Sequence, residues 1–320
     1  MRTFLKIFVI SVGLGVVFIA GFVAWYREPD RSVTELKARW APPPSVFVEV
    51  AGMQVHMRDE GVHDDPLPIV LLHGTSASLH TWDGWVDGLR PTRRLIRLDL
   101  PGYGLTGPFP DHDYRSEHYA TFMHAFLDKL GIERCVLVGN SFGGQIAIVT
   151  ALARPARIER LVLVDASGYP LAPKSIPMGF LIARIPLLNQ ITLHAMPRGL
   201  VEDSVRSVYG DPARVTPALV DRYFELALRE GNRQALVERM KQVSVDVIAT
   251  RMAEVKAPTL ILWGGRDRLV PVAAAKRFSA DIVGSRHVIF DDLGHVPHEE
   301  DPVRTLTAAM RFLNRDNLVP

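Results

Sequence analysis

The sequence predicts an α/β fold in which a mostly parallel sheet carries helices on both faces. Three observations point there. From residue 46 to Val164, strand-like apolar runs alternate with helical stretches, the pattern that builds a parallel sheet covered on both sides. The run Cys135-Val136-Leu137-Val138 leads straight into Gly139-Asn140-Ser141-Phe142-Gly143, a G-x-S-x-G turn from strand to helix. Two more strand-like runs, residues 259–263 and 286–290, follow only after a long helical interval.

In chain order, the first element is apolar. Residues 7–26 are uncharged and dominated by Val, Ile, Phe, Gly and Ala; as a helix they span about 30 Å, the thickness of a bilayer's hydrocarbon core. Trp25 and Tyr26 stand at the far end, where interfacial aromatics are expected, and Arg2 and Lys6 flank the near end. The expectation is an N-terminal transmembrane anchor over residues 1–26, with the membrane as a partner through residues 7–26. A cleaved signal peptide is the rival reading; against it, the apolar run is longer than a typical signal-peptide core and no clean small-x-small cleavage pair appears before Trp25. Cations at both ends (Arg2 and Lys6; Arg27, Arg31, Lys37 and Arg39) leave the charge rule undecided. Likeness to signal-anchored proteins points to a catalytic domain on the periplasmic or outer side.

Residues 27–45 read as a juxtamembrane linker. Within it, residues 31–40 suit a short amphipathic helix at the membrane surface, and Pro42-Pro43-Pro44 a stiff spacer. Strands follow near residues 46–50, 54–58, 68–72, 135–138 and 161–164, with a helix over 145–153. Residues 167–256 are proline-punctuated and helical in pattern, including 217–229 and 234–250, and read as a helical cap inserted after the sixth strand. The apolar residues of 176–196 serve the cap's own core, line an acyl pocket or touch lipid. Residues 46–166 and 257–320 form the core domain.

Composition excludes several classes. The chain has 320 residues, 48% of them hydrophobic, and one cysteine, so it buries a sizeable core without disulfides. Its 37 basic and 35 acidic residues give a net charge of +2 with no long basic run, which does not imply nucleic acid. No repeat, metal-spaced His/Cys cluster or phosphate-binding glycine loop stands out. Oligomeric state is not readable.

The chemistry centres on Ser141. The flanking glycines make room for a serine held in a strained backbone that lifts its hydroxyl clear of the sheet. A serine hydroxyl is a weak nucleophile, so it needs a base, an acid that orients the base, and donors for the developing oxyanion. The order serine, acid, histidine is available. Asp267 leaves the strand at 259–263, with Asp165 as the rival acid at the end of 161–164. His295, bent inward by Gly294, follows the strand at 286–290, with His298 as the rival base; His287 lies within a strand pattern. The strand at 68–72 ends in His73-Gly74-Thr75, so the oxyanion donors are the backbone N–H groups of Phe142 and Thr75. His73 reads as a hydrogen-bonding orienter of that loop.

These residues, with Asp99-Leu100-Pro101-Gly102-Tyr103-Gly104, resemble the α/β-hydrolase superfamily, specifically its capped serine esterases and lipases, over residues 46–315. The resemblance implies an α/β-hydrolase fold, an Asp99–Gly104 turn with a structural role, and carboxylic-ester hydrolysis through Ser141, His295 and Asp267. It requires no metal or organic cofactor. With the anchor and the apolar cap, the expected substrate is an acyl ester or lipid, as for a lipase or phospholipase A. The alternative is a carbon–carbon bond hydrolase of aromatic-ring cleavage products, although Val296 stands where such enzymes commonly carry an aromatic residue. Serine rather than aspartate at the elbow argues against epoxide or halide chemistry. A non-catalytic, membrane-tethered binding module on the same fold is the reading from another class.

Overall fold

The computed structural model describes residues 2–170, 173–186, 188–242 and 244–314. Eight strands form one sheet: β1 (Val46–Val50), β2 (Met53–Gly61), β3 (Ile69–Leu72), β4 (Arg94–Leu98), β5 (Cys135–Asn140), β6 (Ile158–Val164), β7 (Thr259–Gly264) and β8 (Arg286–Phe290). Their spatial order is β1-β2-β4-β3-β5-β6-β7-β8; β1, β2 and β4 pair antiparallel, and every other neighbouring pair is parallel. This is the α/β-hydrolase fold expected from the sequence.

The central strands are continuous apolar runs because both their faces are covered. Successive side chains point to opposite faces. Val70 and Leu72, Cys135 and Leu137, and Ile261 and Trp263 join one core layer. Ile69 and Leu71, Val136 and Val138, and Leu260 and Leu262 join the other. The first layer is closed by α4 (Ser116–Lys129), α5 (Phe142–Ala153) and α12 (Ala273–Asp281), through Phe122, Phe126, Ile146 and Phe278. The second is closed by α3 (Asp83–Leu89) and α14 (Pro302–Leu313), through Trp85, Leu89, Leu306 and Leu313.

Between β6 and β7 the described chain is helical: α6 (Met178–Arg184), α7 (Leu188–Thr192), α8 (Arg198–Val208), α9 (Pro217–Ala227), α10 (Asn232–Gln242) and α11 (Asp246–Thr250). The helix expected over 234–250 is thus two helices, and α10 begins two residues early. The turn α13 (Pro297–Glu300) separates β8 from α14. Residues 315–320 of the expected core, and Leu187 of the apolar 176–196 stretch, lie outside the described residues.

The N-terminal reading is corrected. Helix α1 covers Arg2–Trp25, but among the described residues no helix is long and apolar enough to cross a membrane. The single-pass anchor over residues 7–26, and the periplasmic or outer placement that depended on it, do not stand.

The segment after α1 docks on the helical insertion. Glu28 N–H donates to His194 O at 3.2 Å, Arg31 N–H to Leu228 O at 2.7 Å, and Glu230 N–H back to Arg31 O at 2.9 Å. Helix α2 (Val33–Trp40) starts at a capping box between Ser32 and Glu35. It packs on α9, where Trp40 Nε1–H donates to Glu225 at 2.7 Å and Arg39 pairs with Glu225 and Asp221. Its charged face therefore meets the protein's own helix.

Candidate active site

The parallel strands deliver their functional residues at their C-terminal ends, where open α/β sheets gather ligands. Ser141 follows β5 with φ 52 and ψ −118, outside ordinary backbone territory for a residue with a Cβ. Gly139 and Gly143 permit this: a Cβ on the first would strike the Gly143 carbonyl, and one on the second the Leu72 carbonyl. Ser141 N–H is held by Val164 O at 2.9 Å, and Ser141 O accepts from Ser167 N–H at 3.0 Å. The neighbouring strand end thus holds the strained turn on both sides.

His295 and Asp267 are brought together. His295 Nδ1 lies 2.7 Å from Asp267 Oδ2, and both side chains are buried. The other Asp267 oxygen accepts from the N–H groups of Leu269 at 2.8 Å and Val270 at 2.9 Å. With Nδ1 engaged, Nε2 is the imidazole atom left for the cavity that His295 and Ser141 both line.

None of the rival residues makes this pair. His298 stacks on Trp82, with ring centroids 4.1 Å apart, and its Nε2 bonds Thr81 Oγ1 at 3.0 Å. Burial, with His295 and Arg222 nearby, pushes its pKa well below the usual histidine value. His287 is exposed and bonds Ser279 Oγ at 3.1 Å. Asp165 ends β6, wholly buried, and does not receive the His295 Nδ1 bond.

Phe142 opens α5, so its N–H has no acceptor within the helix. Its ring packs edge-on to Tyr119 and lies under the Arg239 guanidinium, 3.6 Å from the ring centroid. Thr75 lines the same cavity as Ser141. Its loop is set by His73, whose Nδ1–H donates to Gly74 O at 2.7 Å and whose Nε2 accepts from Leu100 N–H at 2.9 Å. Burial holds His73 below the ordinary histidine pKa, which suits the acceptor role of Nε2. Asp99 organises the next loop: it accepts from Leu79 N–H at 2.8 Å and Leu105 N–H at 2.8 Å, and pairs with His56 at 2.7 Å.

The cavity over Ser141 measures about 170 Å³. Its outer wall comes from the insertion, with Phe180, Met196, Leu200, Val205 and Leu236 making it apolar. Arg233 is a cation on that wall: Asp30 at 2.6 Å and the Glu28 carbonyl at 2.9 Å take its Nη2, while its Nη1 is buried with no hydrogen-bond partner among the described residues. Among the described residues, one group of metal-ligand type atoms lies within 4.8 Å: Asp165, Asp267 and His295. The direct His295–Asp267 hydrogen bond already uses two of its members.

Sequence reasoning missed three contributors. Asn140 Nδ2–H donates to Val164 O at 3.1 Å and His295 O at 3.0 Å, tying the elbow to the histidine loop. His295 N–H donates to Val208 O at 2.7 Å, so the insertion grips the histidine backbone. Glu300 accepts from the N–H groups of Gly210 at 2.9 Å, Asp211 at 2.8 Å and Gly294 at 2.8 Å. Asn140 lay within the motif and was readable; the other two depend on contacts with a distant insertion and leave no spacing signal.

The strained elbow, the imidazole–carboxylate pair and the covered cavity lie together at the C-terminal edge of the α/β sheet. Residues 69–309 match the alpha/beta hydrolase family, and the chain belongs to it. A 2-hydroxy-6-oxononadienedioate/2-hydroxy-6-oxononatrienedioate hydrolase 2 of Pseudomonas putida is 32% identical over 250 residues, covering 76% of this chain and 85% of that protein. The corresponding hydrolase of Escherichia coli (strain K12 / DH10B) is 30% identical over 281 residues, covering 84% and 94%. The crystal structure of a membrane phospholipase A, described as a novel bacterial virulence factor, superposes with a TM-score of 0.72 at 24% identity over 98% of both chains, which bears on the fold.

Proposed function

We propose that Ser141, His295 and Asp267 are a catalytic triad and that the protein hydrolyses the carbon–carbon bond beside a ketone in a product of aromatic-ring cleavage. The observation that carries the triad is the 2.7 Å His295–Asp267 bond at the wall of the cavity that Ser141 enters. His295 Nε2 takes the Ser141 proton, the hydroxyl oxygen attacks the carbonyl carbon, and the Phe142 and Thr75 N–H groups receive the oxyanion. For this the dienol first ketonises, its 2-hydroxyl proton moving to the carbon on the far side of the scissile bond; collapse then releases that carbon's electron pair into a conjugated dienolate, whose oxygen takes the proton from His295. Water then releases the acyl group from Ser141 by the reverse sequence.

Support for the carbon–carbon bond comes from the curated relatives, whose names specify ketone-bearing dienedioates. Those substrates are diacids. Here the wall is otherwise apolar and the charge of Arg233 is balanced by Asp30, which favours an apolar group over a second carboxylate on the ketone side of the scissile bond, although the unpartnered Arg233 Nη1 is a donor on that wall. The same wall supports a second reading, hydrolysis of carboxylic esters with apolar acyl chains, including lipid esters. Val296 favours it too, since it packs with Val205 and Tyr209 of the insertion instead of presenting an aromatic ring.

The test compares kcat/KM on a 2-hydroxy-6-oxo-dienoate bearing a phenyl group at the ketone with kcat/KM on p-nitrophenyl esters from acetyl to palmitoyl. Turnover of the dienoate well above that of every ester is expected. Ester turnover alone would replace the first reading by the second. Ser141→Ala is expected to lose at least about 10⁴-fold on either substrate; activity that survives it would remove the triad.

A further inference from the structure

Asp165 has no part in the chemistry just described, yet it is built into the same site. It is wholly buried and held at φ 45, a left-handed backbone that a residue with a Cβ occupies at a cost and that recurs at functional positions. One of its oxygens lies within 4.8 Å of both the Asp267 oxygen and the His295 nitrogen. Two carboxyl groups therefore share one imidazole, and two adjacent anions away from water are costly.

Hydrogen-bond accounting says which of them holds the proton. Asp267 accepts from His295 Nδ1–H and from the N–H groups of Leu269 and Val270, three donors that stabilise a carboxylate. Asp165 accepts from one, the Gly264 N–H at 2.9 Å, through Oδ1. Its Oδ2 is buried with no donor directed at it. An ionised Asp165 would leave that oxygen an orphaned anion facing another carboxylate; a hydrogen on Oδ2 turns the same atom into a donor.

We infer that Asp165 is a positioning residue: a neutral carboxylic acid whose Oδ2–H donates to the Asp267 carboxylate and fixes it against His295. Its effect on turnover rests on the triad proposed above, whereas its protonation state does not. The charged groups that face it are Asp267 from the loop after β7, His295 from the loop after β8, and Glu300 from α13. Burial, followed by the Asp267 charge, holds the Asp165 proton on to well above the usual carboxyl range; only the Gly264 N–H pulls the other way.

The infrared spectrum of the intact protein at pH 7 is expected to show the carbonyl stretch of a protonated carboxylic acid that Asp165→Asn lacks. A wild-type spectrum without that band, or one in which the band survives the substitution, overturns the inference. In kinetics, Asp165→Asn keeps an acceptor for Gly264 N–H and a donor for Asp267. It is expected to stay within about threefold of wild type, with the acid limb of kcat/KM unmoved. Asp165→Ala lacks the donor and is expected to lose about 10–100-fold in kcat with KM little changed. An Asn variant as impaired as the Ala variant, or one whose acid limb moves, would mark Asp165 as an ionised partner of His295 and sink the idea. The infrared band needs no turnover, so activity surviving Ser141→Ala, which defeats the triad, remains a separate outcome.

Discussion

Ser141 holds a backbone that a glycine adopts freely and a serine does not, because any Cβ at φ 52 crowds the adjoining peptide groups. The strain is maintained by the Val164 and Ser167 hydrogen bonds and costs on the order of 1–3 kcal/mol. Alanine at 141 keeps the strain and glycine releases it, at some loss of chain entropy in folding. Ser141→Gly is therefore expected to be about 1 kcal/mol more stable than Ser141→Ala, as read from urea unfolding midpoints with equal m-values. Equal stability, or the reverse order, would show that position 141 is not strained. This residue was legible in the sequence because strain of that kind demands glycines at fixed offsets. The choice of Asp267 over Asp165 was not, since both end buried strands and only the third dimension shows which one meets Nδ1. The same holds for His295 and His298, three residues apart: the aromatic face of Trp82 claims the second.

At the scale of elements, four parallel strands (β3, β5, β6 and β7) were readable from apolar runs, and residues 31–40 as a helix that begins at Val33 behind its Ser32 cap. What periodicity did not reveal is how the helical insertion is fastened to the sheet. Helix α13 does this with the Glu300 carboxylate, which gathers N–H groups from Gly210 and Asp211 of the insertion and Gly294 of the histidine loop. Beside it, the half-buried Arg222 of α9 pairs with Glu299 of α13, and Tyr223 Oη–H donates to Glu299 at 2.9 Å. The partners from the insertion lie 76 to 90 residues away in the chain, so no local pattern announces them. Glu300→Ala leaves the buried Gly294 N–H and the part-buried N–H groups of Gly210 and Asp211 without their acceptor and is expected to cost about 1–3 kcal/mol of stability. It should also lower kcat on whichever substrate the enzyme turns over, since the backbone that aims His295 loosens. A variant with wild-type unfolding and wild-type kcat would show that the joint carries neither load.

Over the whole molecule, the site is a meeting of separate pieces: the ends of β3, β5, β6, β7 and β8 below, the insertion above, and the segment after α1 strapped across that insertion. The packing that joins them buries histidines as neutral groups, and this sets how the fold responds to acid. Burial lowers the pKa of His73, of His124 and of His298, and takes His80 down to about 3. In the unfolded chain the same rings take up protons near the ordinary value of about 6.5. Between that value and the lowered ones the unfolded state binds more protons than the folded state, so stability is full above about pH 6.5 and falls as pH drops. Asp165 acts in the opposite sense: its raised pKa keeps a proton in the folded state that the unfolded chain has released, so it stabilises at low pH and the contribution is lost as pH rises. Four histidines outweigh one carboxyl, and the net expectation is a thermal midpoint that declines steadily from pH 7 to pH 4.5. Asp165→Asn is expected to raise the midpoint at pH 7 and to lose that advantage towards the ordinary aspartate value of about 3.9. A wild-type midpoint that is flat across this interval would mean that the buried histidines gain protonated partners on acidification, and the neutral packing proposed for them would fail.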